Sequence, residues 1–362
     1  VSRLPIKISL ALLLALAGCT TPRNQTAPPD WGVASAPVFA PVATLTPATN
    51  RPPFTVPAPH SQLASLPPHF AETWVALTRW AQANHLAAPR KIAAAPLPVY
   101  ALTTPHGKIL VRGGSQLADW NGQEFHLGFK PGETNGELFI HNLDLQKNLQ
   151  PLLENSPLPS PGNRTLVLDP GHGGGNTGTR SVHDGRLEKE FTLDWALRLQ
   201  PLLERAGWRV LLTRTNDLEL SLSNRVAFAE AQRADIFISL HFNSAAPDEN
   251  PAGLETYCLT PNGMPSNLIR DGEDDARLKF NNNAYDEQNF QLALRVQRAL
   301  LAANRQHDRG VRHARFIGVL RGQNRPAVLI EGGYLSNQGE AAQIAKPAFR
   351  QKLAEAVAEA LR

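Results

Sequence analysis

The run Thr165-Leu166-Val167-Leu168-Asp169-Pro170-Gly171-His172-Gly173-Gly174 decides how this chain folds. Its first half is continuously apolar, as in a strand covered on both faces. Its second half breaks into proline and glycine, which ends the strand in a tight turn and leaves a histidine at the mouth. The same order, an apolar run and then a polar terminus, returns at Asp235-Ile236-Phe237-Ile238-Ser239-Leu240-His241 and at Ala327-Val328-Leu329-Ile330-Glu331. Helical periodicity fills the intervals, from Glu188 to about Arg205, Leu222 to Gln232, near 290–304, and from Pro347 to Leu361. Further strands fit 208–213 and 254–259. Such alternation predicts an α/β fold with a largely parallel twisted sheet and helices on both faces. Pro201 should kink the first helix or end it early.

Outward from this block, Pro157 to Pro161 marks a boundary, and the texture before it differs. The spacing from Phe70 to Ala81 predicts a helix, and short strands follow at 98–102, 108–112 and 124–129. Turns are expected at Pro105-His106-Gly107 and Trp120-Asn121-Gly122, the second with the Asn-Gly pair of a tight hairpin. Residues 62–156 therefore read as a small α+β domain, which loosely resembles amine-oxidase-N-like modules, and 163–362 as the main domain. Residues 19–61 are rich in proline, as at Arg51-Pro52-Pro53, and read as an extended tether.

The first 18 residues carry Arg3 and Lys7 before an apolar stretch from Ile8 to Ala17. That stretch is short of the ~20 residues that span a bilayer but suits a signal peptide. It ends Leu16-Ala17-Gly18-Cys19, which resembles a bacterial lipobox and implies cleavage before Cys19 and lipidation of its thiol. The expected location is the periplasm-facing envelope, on the outer membrane in a Gram-negative host, with the membrane as partner through Cys19. An activator protein, if there is one, is not identified. The 36 Lys+Arg against 32 Asp+Glu give a net charge of +4. No basic block with interleaved aromatics appears, so nucleic acid is not expected as a partner.

Three polar sites close predicted strands: His172 after 165–169, His241 with Asn243 after 235–240, and Glu331 after 327–330. Ligands of open α/β sheets bind in the crevice beyond the strands' carboxyl ends, so topology makes these residues converge. Two imidazoles and a carboxylate suit zinc with an open fourth position. Glu188, opening the first helix, is a candidate third ligand, and Glu190 is its rival. Glycines at 171–175 and 332–333 let backbone approach a metal or substrate. There is no Gly-x-Ser-x-Gly elbow, no Cys/His pair with a plausible nucleophile and no phosphate-binding Gly-rich loop.

With these residues in place, the sequence resembles the zinc-dependent N-acetylmuramoyl-L-alanine amidases of bacterial cell walls over about 164–361. The resemblance rests on 166–174, Glu188-Lys189-Glu190, Thr213-Arg214-Thr215, 222–226, 237–244, 253–257, Arg309-Gly310-Val311 and 326–337. It implies His172, Glu188 and His241 as Zn2+ ligands, with Glu188 preferred to Glu190, and Glu331 as the catalytic carboxylate. The implied reaction is hydrolysis of the amide between N-acetylmuramic acid and L-alanine in peptidoglycan. Zinc lowers the pKa of water from ~16 towards ~7; Glu331 would take the proton and pass it to the leaving nitrogen. Two other readings stay open: a zinc peptidase on wall peptides, and a wall-binding lipoprotein without turnover.

Other residues read as structural. Arg214 and Arg225 should fix loops through carboxylate pairs, Asn243 reads as a strand-end turn residue or as a hydrogen-bonding group near the metal, and Cys258 should be buried. His183 and His313 are expected to face solvent. The stretch 262–284, with Asp271, Glu273 and Asn281-Asn282-Asn283, exceeds the family's minimal form and reads as a solvated loop or a lid.

Overall fold

A computed structural model describes residues 73–154, 158, 164–270, 272 and 274–362. The signal-peptide, Cys19 and tether readings lie outside these residues, as do most of 157–161 and the side chains of Asp271 and Glu273.

The strands are β1 (Trp74–Ala76), β2 (Arg90–Ala93), β3 (Val99–Thr104), β4 (Gly107–Arg112), β5 (Leu117–Trp120), β6 (Gln123–His126), β7 (Gly132–Thr134), β8 (Glu137–His141), β9 (Thr165–Pro170), β10 (Arg209–Leu212), β11 (Ile236–Asn243), β12 (Leu254–Cys258), β13 (Asp308–His313) and β14 (Ala327–Tyr334). The helices are α1 (Leu77–Ala83), α2 (Asn142–Asp144), α3 (Gln150–Leu153), α4 (Glu188–Arg205), α5 (Leu222–Ala231), α6 (Asp286–Asn304), α7 (Gly318–Arg321), α8 (Gln338–Ile344) and α9 (Pro347–Ala360). A π turn, Leu145–Leu149, joins α2 to α3.

Among the described residues the main sheet has 11 strands in the order β10-β9-β11-β14-β12-β13-β6-β5-β4-β3-β2, and a 3-stranded sheet runs β1-β8-β7. β10, β9, β11 and β14 are parallel, as the strand–helix alternation predicts. β12 runs antiparallel to β14 and parallel to β13, so the sheet is mixed beyond that point. β13 then accepts β6 through Val311 opposite Phe125, and the antiparallel strands of 90–126 continue the same sheet.

The apolar run of β9 is continuous because each face meets a different core. Leu166 and Leu168 pack with Trp195, Leu199 and Leu353 of α4 and α9, while Val167 packs with Ala229 of α5 and Leu320 of α7. Each such side chain contributes about 1.5–3 kcal/mol when fully buried. The sequence reading needs four corrections. Trp74–Ala76 is a strand, because its backbone pairs with Phe139–His141, and the helix starts only at Leu77. α4 runs through Pro201 to Arg205 without ending early. β13 was not anticipated. Asn282 and Asn283 are buried in a 3-10 turn, where their amides cap the carbonyls of Arg325 and Thr260.

Asn121-Gly122 forms the expected hairpin between β5 and β6, with both residues at positive φ.

Candidate active site

β9, β11 and β14 lie side by side, and polar residues in their carboxyl-terminal halves lie near the first turn of α4; Glu331 does not close β14 as expected, because pairing with β11 carries that strand on to Tyr334. In the β11–β14 pair His241 lies opposite Glu331, so the two share a face. His172 follows β9 at φ 63, a left-handed conformation that is uncommon for a non-glycine residue. Arg225 holds it there by donating to the His172 carbonyl at 2.7 Å.

Glu188, at the start of α4, is 4% exposed and reaches into this space. Its Oε1 lies 3.1 Å from His172 Nε2 and 3.0 Å from His241 Nδ1. The Phe242 N–H donates to the same oxygen at 3.1 Å, and the Thr179 N–H donates to Oε2 at 3.0 Å. One ligand atom from each of His172, Glu188 and His241 lies within 4.8 Å of the other two. Burial pushes the Glu188 carboxyl up, but the hydrogen bonds and charges of the two histidines outweigh it and hold it well below the ordinary carboxylate range. The Glu188 contact in turn raises His172 against the effect of burial.

These residues fit a metal such as zinc on three observations. The donor set is two imidazoles and one carboxylate. His172 Nδ1 is 2.8 Å from Asn176 Oδ1, an acceptor that keeps a proton on Nδ1, so that in the neutral ring Nε2 is the nitrogen available to a metal. Glycine backbone also closes on the cluster. A Cβ on Gly171 would stand 2.3 Å from the His241 ring, and one on Gly178 would stand 2.6 Å from Glu188 Oε2.

Asn176 and Gly178 were missed by the sequence reading. Asn176, four residues after His172 in a glycine-rich loop, carried the only signal. The 332–333 glycines answer a different need from the one expected. A Cβ on Gly332 would meet Phe242 and Trp195, so it serves packing beneath the site.

Glu331 stands on β14, and its Oε2 is buried without a hydrogen-bond partner among the described residues. Burial, then the Glu188 and Glu255 carboxylates, push its carboxyl well above the ordinary range. Such an atom has desolvation working against its charged form, which suits a group that gains and loses a proton.

The rest of the site is scaffold. Buried Asp169 accepts from Thr213 Oγ1 at 2.6 Å, Ser239 Oγ at 2.8 Å and Arg225 Nη1 at 2.6 Å. Arg225 thus uses a carboxylate, as expected. Arg214 does not: it donates to the carbonyls of Pro170, Gly171, Asn216 and Lys189. Glu190 is exposed and caps α4, its Oε1 accepting from the Leu187 N–H at 3.1 Å. Asn243 donates to Glu255 at 2.5 Å. His183 is exposed, whereas His313, expected in solvent, is 1% exposed and bonded to Asn148 Oδ1 at 2.8 Å, away from the cluster. Cys258 is buried.

Residues 166–362 match the family model Amidase_3, described as N-acetylmuramoyl-L-alanine amidase. The chain is 32% identical over 194 residues to N-acetylmuramoyl-L-alanine amidase LytC of Bacillus subtilis, covering 53% of this chain and 34% of that protein. It is 30% identical over 239 residues to N-acetylmuramoyl-L-alanine amidase AmiC of Escherichia coli O6:H1, covering 59% and 56%. It therefore spans less than two thirds of either relative. Among solved structures, the amidase AmiC2 of Nostoc punctiforme is similar at 30% identity and a TM-score of 0.46, over 56% of this chain and 97% of that one.

Proposed function

The chain belongs to the N-acetylmuramoyl-L-alanine amidase family, and from that premise we propose that it hydrolyses the amide between N-acetylmuramic acid and L-alanine in peptidoglycan, with zinc held by His172, Glu188 and His241. The observation that carries the reading is one carboxylate oxygen of Glu188 lying 3.1 and 3.0 Å from two imidazole nitrogens, with His241 opposite Glu331 in the β11–β14 pair. Zinc, when bound, supplies Lewis acidity that polarises a carbonyl and eases the ionisation of water.

The chain's own residues do the rest. Glu188 brings the negative charge of the ligand set, and its second oxygen is fixed by the Thr179 N–H. Asn176 sets the tautomer of His172. Glu331 Oε2, without a hydrogen-bond partner among the described residues, accepts the proton of the attacking water. It returns that proton to the leaving alanine nitrogen, which cannot depart as an amide anion.

The same reading sets the enzyme in the cell envelope, anchored through a lipid on Cys19 and reaching the wall on the tether of 19–61. Among the described residues no helix is long and apolar enough to cross a membrane. The lipobox-like Leu16-Ala17-Gly18-Cys19 supports the anchor.

Purified peptidoglycan incubated with the protein and zinc, followed by mass spectrometry of the products, tests the function. Intact stem peptides freed at L-alanine, abolished by a chelator and restored by zinc, are expected. Cleavage within the peptides would replace the reading with a wall peptidase. No release at all would remove it.

A further inference from the structure

β13 carries Asp308-Arg309-Gly310-Val311-Arg312-His313, and its pairing with β12 slips between Leu254 and Thr256. Leu254 faces Asp308 and Thr256 faces Val311, so β13 spends one extra residue there. Gly310 absorbs it at φ 80, where a Cβ would stand 2.9 Å from the Glu124 carbonyl oxygen. Such a bulge re-aims side chains. Here it lets Arg309 and Arg312, three apart, reach the same carboxylate. Their Nε atoms lie 3.4 and 3.2 Å from Glu255 Oε2.

Glu255 lies opposite Glu331 in the antiparallel β12–β14 pair. Paired residues project to one face, so His241, Glu331, Glu255 and the two arginines form a row across four neighbouring strands.

The hydrogen-bonding capacity along this row is not used up. Glu255 is 1% exposed and already takes hydrogen bonds from Tyr334 at 2.6 Å and Asn243 at 2.5 Å. Two guanidiniums flank it. Neither arginine bonds an acceptor among the described residues through its terminal nitrogens. Both side chains stay partly open to solvent, at 24% and 19%. Arg309 is further held over the Tyr334 ring at 5.0 Å. His126, with Nε2 3.2 Å from the Arg309 carbonyl oxygen, is kept neutral by burial and by Arg312, down to about 4, so it adds no charge. The result is a pair of guanidinium forks engaged through Nε, with terminal nitrogens that have no acceptor among the described residues, the geometry that binds a carboxylate by two parallel hydrogen bonds.

We propose that Arg309 and Arg312 bind a free carboxylate on the peptide side of the substrate and so select acidic stem peptides. This rests on the amidase reading. Adjacent strands are about 4.8 Å apart, so β13 lies about 10 Å from β14. An extended peptide advances about 3.3 Å per residue, which sets the recognised carboxylate two to three residues from the cut amide.

Calorimetric titration of the full chain, supplied with zinc, tests this directly. The probes are an acetylated tripeptide with free carboxylates on its second and third residues and the same tripeptide with both amidated. The free acid should bind ten- to a hundredfold more tightly than the amide. That preference should collapse in Arg312→Gln and Arg309→Gln, and survive in part in Arg312→Lys, which keeps the charge beside Glu255. Thermal melts identify any variant that fails to fold. Equal binding of acid and amide by the unaltered chain overturns the proposal, as does a preference that survives both glutamine variants. Turnover of peptidoglycan is scored separately: loss of turnover with the acid preference intact counts against the amidase reading and leaves the arginine site standing.

Discussion

Gly178→Ala changes none of the proposed ligand atoms, yet it should weaken metal binding. Gly178 sits at φ 66, and its added Cβ would stand 2.6 Å from Glu188 Oε2, 2.7 Å from Glu188 Cβ and 2.7 Å from His172 Cδ2. The left-handed backbone costs an alanine about 1–2 kcal/mol whether or not metal is present. That part should lower the melting temperature of the apo protein by a few degrees. The contacts below 3.0 Å must be relieved by displacing Glu188 or His172, and overpacking of this kind costs about 1–3 kcal/mol. Because the displaced groups are the proposed ligands, this second part falls on the metal complex, about 5- to 150-fold in zinc affinity. Competition with a chromophoric chelator measures the affinity, and melts with and without zinc separate the two parts. A variant that loses apo stability but binds zinc as tightly as the parent would show that the cluster tolerates the methyl. The glycine would then serve the backbone alone.

Glu331→Gln should keep zinc affinity within a few fold and lower peptidoglycan turnover by about 10²–10⁴, the range expected for a lost general base, read by product release and by zinc titration on the same sample. Asp169→Asn should destabilise the fold by about 3–5 kcal/mol, because Arg225 is left buried without its carboxylate, and urea unfolding measures it. His313 is lowered from 6.5 to about 4 by burial, so the folded state binds it neutral. The stability this gives is complete above pH 6.5 and is lost as the pH falls to about 4, a change of about 3 kcal/mol. A His313→Gln variant should show a flatter acid limb in urea unfolding followed from pH 7 to 4.

The legible parts of the fold are those where one residue's surroundings follow from its neighbours in sequence. Val167 and Leu168 are apolar in succession because both faces of β9 are covered, and the eye reads a strand at once. β13 is opaque for the opposite reason. Its Arg309 and Arg312 look like loop residues until Glu255, distant in sequence, is placed beside them. The helical period from Phe70 to Ala81 is real, but pairing of Trp74 with His141 across the small sheet overrides it at the start. His313 followed the usual surface habit of histidine in the sequence, and only the fold brings Asn148 to its Nε2. At the site, strand-end position brought His172, His241 and Glu331 into view. Choosing Glu188 over Glu190 needed the family pattern, and the structure gives its physical content: the helix start turns position 188 inward and leaves 190 to cap the backbone.

The two carboxylates at the cluster are driven in opposite directions, and this separates their roles. Glu188 is buried yet held ionised by His172, His241 and two backbone N–H donors. Glu331 is half-buried, with its Oε2 buried near Glu188 and Glu255 and no donor on that atom among the described residues, so its proton is favoured. An ionised Glu331 and an ionised Glu188 in the same low-dielectric space repel each other, and only one has partners to offset the burial of its charge. Glu188 is therefore suited to give permanent negative charge to a cation, and Glu331 to hold a proton that can move. A dication among His172, Glu188 and His241 would cancel the repulsion and bring Glu331 down towards the range in which it can take up a proton and release it. The proposed assignment of Glu188 as ligand and Glu331 as base is the one that the surroundings of each carboxylate favour.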